Sequence, residues 1–124
     1  MEDIAKRLDL ELLMAAFYRK LLNDPSISYI FIDVAQIDLE NHLPHIVDFW
    51  EQNLLGTGSY RKNVLKIHLD LNALTPLMPA HFETWLAHLY AVADEMFKGE
   101  NTDKLKTRAL SIATVMQIKV GNQS

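Results

Sequence analysis

Cysteine is absent from this 124-residue chain, so no disulfide, thiolate nucleophile or zinc–cysteine knuckle can belong to its chemistry. Glycine and proline number four each, too few for a collagen-like or low-complexity chain. A basic excess is missing as well: 12 Lys and Arg stand against 16 Asp and Glu, leaving a formal charge of −4. That balance offers no electrostatic footprint for a phosphate backbone, which argues against a nucleic-acid partner. No apolar run approaches the roughly 20 residues that span a bilayer, and the acidic Met1-Glu2-Asp3 start is unlike the basic start of a secretory signal. The expectation is a cytoplasmic protein with no membrane partner.

What the chain does have is the material for one core. Hydrophobic residues make up 49% and charged ones 23%, an ordinary globular balance, and the length suits a single domain over 1–124. Apolar positions Leu10, Leu13, Met14, Phe17 and Leu21 keep the spacing of one helical face from Asp9, the expected N-cap, to Leu22. Residues 1–8 read as an extension, either a loosely packed turn or a frayed end. The Ile- and aromatic-rich stretch from Ser26 to Val34 has strand propensity but nothing to pair with, so Pro25 is expected to open a short helix to about Phe31. A helix follows from a cap at Asp38 to Leu54, bent by Pro44 and closed at Gly56-Thr57-Gly58. A short helix over Asn63 to Leu69 and a loop holding Pro76 and Pro79 come next. The broad stripe Phe82, Trp85, Leu86, Leu89, Ala93, Met96 and Phe97 predicts a helix from Ala80 to Lys98. The last helix starts at a cap by Asn101 or Thr102 and runs to about Lys119, leaving 121–124 as a tail. The fold class is all-α.

Signature motifs are also missing. There is no Walker loop, GxGxxG, EF-hand loop, HExxH or Glu-x-x-His pair, the last of which argues against a di-iron carboxylate bundle. Five histidines remain. His68, in a short apolar segment, could ligate a metal through one nitrogen, or sit half-buried against a carbonyl. His42, His45 and Asp48 share a helical face, which fits either a mononuclear metal hydrolase or a solvated polar face. His81 and His88 read as surface or boundary residues. Tyr18 and Trp85 each fall within or beside an apolar stripe and carry one donor that needs a partner when buried, whether a ligand or a carbonyl. A non-catalytic helical interaction module without cofactor is the second reading of the whole chain, with these residues as plain core.

The order of several blocks narrows the choice. Phe17-Tyr18 with Leu21-Leu22-x-Asp24-Pro25, Phe31, His42 with Phe49-Trp50, Leu55-Gly56-x-Gly58-x-Tyr60, His68-Leu69-x-Leu71 and His81-Phe82-x-x-Trp85-Leu86 together resemble the truncated haemoglobins, specifically their third group, over roughly residues 9 to 118. The resemblance implies a shortened globin fold, two antiparallel helix pairs (2-on-2) around a haem, here haem b (iron protoporphyrin IX). It makes His68 the proximal iron ligand and places Tyr18, His42 and Trp85 in the distal pocket. Phe31, Ile46, Trp50, Tyr60 and Lys66 become contacts of the cofactor, with Arg61 and Lys62 as further cations near its propionates. After Tyr60 the family commonly has Gly and then Pro, whereas this chain has Arg61-Lys62-Asn63-Val64, so the loop there is expected to differ. The implied ligands are O2, NO, CO or peroxide. With two donors in the pocket, redox chemistry such as NO dioxygenation or peroxide turnover, fed by a reductase, suits it better than bulk O2 transport. Such a protein is expected to be a monomer or weak dimer.

Overall fold

The computed structural model of the chain describes residues 2–30, 39–56 and 77–123. The expected short helix over Asn63 to Leu69, the Asp38 cap and the closing Thr57-Gly58 lie outside the described residues. Five α-helices, and no strand, occur among those described: α1 Arg7–Leu22, α2 Pro25–Tyr29, α3 Leu39–Trp50, α4 Pro79–Met96 and α5 Glu100–Gln123. A π-helical turn, Glu51–Leu55, extends α3 to Gly56, whose left-handed φ of 73° ends it as the sequence suggested. α1 packs on α3 and α4, and α4 packs on α5. Only residues 97–99 join α4 to α5, a connection length that makes neighbouring helices antiparallel.

Local chemistry sets the helix starts. Asp24 accepts a hydrogen bond from the Ser26 amide, and Pro25, with no N–H to satisfy, occupies the first turn of α2. Pro79 plays the same part in α4. Pro44 stands inside α3, where it removes one donor from the helical ladder. α1 starts three residues before the point that a cap at Asp9 would set. Asp9 is not its N-cap but lies one turn in, from where its carboxylate accepts from the Ala5 and Lys6 amides. An acidic residue at that third position also favours the positive end of the helix dipole.

The N-terminal extension is neither frayed nor a loose turn. Ile4 is fully buried in the core with Leu10, Leu13, Leu89 and Leu105. Asp3 closes the start of α5 from 98 residues away, accepting from the Asn101 amide at 2.8 Å and from the Thr102 amide and hydroxyl at 2.9 and 2.8 Å. Asn101 and Thr102 are thus capped rather than capping. Burial opposes the Asp3 charge, yet these bonds, led by that of Asn101, hold its carboxyl below the ordinary carboxylate value. Gly99 leaves the room for this contact. It has φ 150°, and a Cβ there would come within 2.5 Å of Asp3 Cγ. α5 also runs on to Gln123, through the residues expected as a tail.

Asp3→Ala is therefore expected to cost about 2 kcal/mol, since a lost N-cap costs ~1 kcal/mol and bonds to a charged group more. At about 4 °C per kcal/mol for a domain of this size, thermal unfolding followed by circular dichroism should shift down by about 8 °C. Gly99→Ala should destabilise through the same contact. An unchanged melting point in both variants contradicts the clasp.

Candidate functional site

The five helices leave a slot between them. α1 supplies Phe17 and Tyr18, α2 Ile27, α3 Ile46 and Trp50, α4 Phe82 and Trp85, and α5 Ile112 and Met116. Its empty space, counted with the open mouth, is about 890 Å³. The helical period explains the composition. Each helix turns one apolar stripe inward, and the walls are therefore aromatic and aliphatic, with few side chains that carry a polar atom.

Those few are Tyr18, Trp50, His81 and Trp85. Tyr18 is buried, 5% exposed, and its hydroxyl lies 3.1 Å from His42 Nε2. Burial pushes the phenol pKa well up, so Tyr18 stays a neutral hydroxyl at any ordinary pH. Phe17 meets both Tyr18 and Trp85 edge-on, at 5.3 and 5.8 Å between ring centres, so the two donor-bearing rings share one packing partner. Of the residues the sequence nominated, Tyr18, Trp85, Ile46 and Trp50 line the slot, and His42 reaches it through Tyr18. Phe31, Tyr60, Arg61, Lys62, Lys66 and His68 lie outside the described residues.

His81, expected as a surface or boundary residue, is half-buried, and its place in the slot was not foreseen. It lines the slot one turn before Trp85, at the same i, i+4 spacing that brings Trp85 into line with Leu89. Its Nδ1 accepts from the Met78 amide at 3.0 Å, which leaves Nε2 as the protonated nitrogen of the neutral ring, 2.9 Å from the Tyr29 hydroxyl. Burial lowers its pKa in the same direction. The available signal was Pro79, which fixes the start of α4 and hence the inward phase of position 81.

The alternative metal centre does not assemble. Asp48 accepts from Arg7 at 2.7 Å, His45 is exposed and His42 is turned to Tyr18. No group of three or more candidate ligands occurs among the described residues. His88 binds elsewhere, 2.7 Å from Asp24, and ties α4 to the corner between α1 and α2. That bond, with the Ser26 contacts, lowers the Asp24 pKa from its ordinary 3.8 to about 2. A depressed carboxylate stabilises the fold above its unfolded value and loses that contribution as pH falls through the folded one. Stability should therefore decline as pH drops from about 4 to 2, and Asp24→Asn should flatten this decline in acid-unfolding curves. A slope equal to the parent's would remove Asp24 from the account.

No family model matches the chain. Among curated proteins it is 33% identical over 119 residues to the group 3 truncated haemoglobin ctb of Campylobacter jejuni, covering 94% of this chain and 87% of that protein. This chain belongs to the group 3 truncated haemoglobins. The crystal structure of the group III truncated haemoglobin from Campylobacter jejuni superposes with a TM-score of 0.85 at 29% identity, covering 97% of this truncated haemoglobin and 95% of that chain. The architecture is the shortened globin fold, two antiparallel helix pairs crossed on each other, and the slot of this truncated haemoglobin lies between the pairs. No helix among the described residues is long and apolar enough to cross a membrane.

Proposed function

We propose that this truncated haemoglobin holds haem b in the slot and binds O2, and by the same position NO, CO or peroxide, with His68 as the proximal ligand. The observation that carries this is the lining of the slot: mostly apolar walls, with the donor-bearing rings of Tyr18 and Trp85 both packed on Phe17. Apolar walls suit a macrocycle, and the open mouth would leave its anionic propionates in water. No buried side-chain nitrogen or oxygen among the described residues lacks a partner, so seating an apolar plane there strands no polar group.

Ile46 and Trp50 would pack on the plane, joined by Phe31, and Tyr60 and Lys66 would hold its edge. Among the described histidines His81 has both ring nitrogens engaged, which favours a proximal ligand from elsewhere in the chain and supports His68. The haem would supply an iron with one open coordination position. The chain's own part is to exclude water, to point the Tyr18 and Trp85 donors at that position and to control access. His42 stands at the rim and is read as a gate rather than an anchor. His42→Leu should change ligand association, and unchanged association with sharply faster dissociation contradicts that role. Two donors slow O2 release, so redox turnover of NO or peroxide, with re-reduction by a separate reductase, fits better than carriage. The setting is the cytoplasm, as a monomer or weak dimer.

The test is the visible spectrum of the protein as expressed. A Soret band that shifts reversibly with O2 and CO is expected. A folded, colourless protein that takes up no added haem overturns the proposal and favours the interaction module.

A further inference from the structure

A second, more polar cleft opens where the π-helical turn faces α5, lined by Phe49, Gln52, Asn53, Arg108, Ser111 and Ile112. Single π-helical turns are rare and are found mostly at functional sites. No carboxylate lines the cleft, and its one charged group is the Arg108 guanidinium. The exposed Lys104 stands one turn earlier on the same face of α5. Asp48 and Glu51, the acids beside the turn, are paired with Arg7 at 2.7 and 2.9 Å. In a chain whose formal charge is −4, this cleft is therefore a positive spot.

The guanidinium is also held in one orientation. Its Nη1 donates to the Asn53 carbonyl and, at 2.8 Å, to Asn53 Oδ1, which uses both hydrogens on that nitrogen. Nε–H and the adjacent Nη2–H lie on the other edge of the same plane and have no protein partner among the described residues. Two parallel N–H groups on a rigid plane match the two oxygens of a carboxylate. An exposed guanidinium alone would hold any anion weakly. Here Phe49 and Ile112, both half-buried, add an apolar patch to the same cleft, and an edge-on contact with Trp50, 5.1 Å between ring centres, braces the Phe49 ring. That patch favours an acid with a flat hydrocarbon body over a small inorganic ion.

We propose that this cleft binds a small aromatic carboxylic acid, with the carboxylate on the Nε and Nη2 edge of Arg108 and the ring against Phe49 and Ile112. Gln52 and Ser111 supply uncharged hydrogen-bonding groups around it. Binding there requires no haem.

The experiment titrates benzoate into nitrogen-labelled protein as expressed, kept under CO wherever it carries haem so that the iron is diamagnetic, and follows the amide signals by nuclear magnetic resonance. Saturable shifts are expected around residues 51–55 and 108–112. Acetate, which lacks the ring, and benzyl alcohol, which lacks the charge, should each bind at least roughly tenfold more weakly, and Arg108→Gln should weaken benzoate by a similar factor, the scale of one lost charge-assisted contact. Arg108→Lys, which keeps the charge without the fork, should fall between Arg108→Gln and the parent. Both variants alter an exposed residue, and unchanged amide signals away from the cleft would show that the fold is intact. Absent or unsaturable shifts, shifts confined to the slot, equal binding of acetate or benzyl alcohol, or full affinity in Arg108→Gln each overturn the site. All these readings are made on amides rather than on haem, so a protein that proves to hold no haem still passes or fails this test on its own.

Discussion

Tyr18→Phe is expected to speed O2 dissociation by roughly tenfold to a hundredfold, because a hydrogen bond to a charged or strongly polarised partner contributes about 1.5–3 kcal/mol. The substitution removes one oxygen atom and keeps the ring, so the edge-on contacts of Tyr18 with Phe17 at 5.3 Å and with His42 at 5.3 Å survive. The fold should hold, and the change should appear in the rate. It should appear in dissociation rather than association, since the donor acts on a ligand already in place. The phenol's raised pKa makes the effect independent of pH across the neutral range, a signature that an ionising donor lacks. His42 sets the lower bound. Its Nε2 loses the Tyr18 hydroxyl in the variant, and an imidazole N–H turned to the ligand instead would offer a replacement donor. Trp85→Phe, which removes the donor of the indole ring packed on Phe17, should act in the same sense, and combining it with Tyr18→Phe should give more than either alone. Stopped-flow rates equal to the parent's in both single variants reject the distal-donor assignment.

Those two residues were legible because their information is local. Tyr18 and Trp85 sit in or beside apolar stripes with a 3.6 period, and α1 and α4 follow those stripes within three residues. Pro25 overrode the strand propensity of the stretch after it by the same kind of local rule, a ring that favours the first turn of a helix. Contacts across the chain left no such trace. Nothing near Asn101 announces that its cap is Asp3, and nothing near Ile4 announces a fully buried side chain, because both depend on how the two ends of the chain meet. Asp9 shows a middle case. The residue types that cap from outside a helix and from its third position overlap, and a start three residues earlier turns one into the other. His81 is the half-buried boundary residue the sequence allowed, but its place in the slot was hidden for a different reason. Its phase matched Trp85, but a polar residue on an inward phase is placed only once its partners, the Met78 amide and Tyr29, are known.

The other large effect is expected at position 68. His68→Ala should yield protein that folds but retains little haem, with affinity falling by more than the roughly 10–100-fold that loss of a supporting outer-shell group costs at a metal site. Folding is expected to survive because the described core, from Ile4 and Phe17 to Leu89 and Leu105, closes without residue 68. What the apolar walls contribute to cofactor binding is area, which holds a macrocycle without fixing it; the imidazole contributes the one directed bond. Free imidazole in the medium is small enough to occupy the space the substitution opens, and it should restore both haem content and the Soret band. Rescue separates a lost ligand from a damaged fold, since a misfolded chain gains nothing from imidazole. His81→Ala serves as the control. Both ring nitrogens of His81 are engaged by the protein, so that variant should keep its haem, with a lower melting point from the lost bond to the Met78 amide. If His68→Ala instead retains haem at the parent's level, and His81→Ala loses it, the proximal assignment moves to α4 and the orientation of the cofactor in the slot must be reversed.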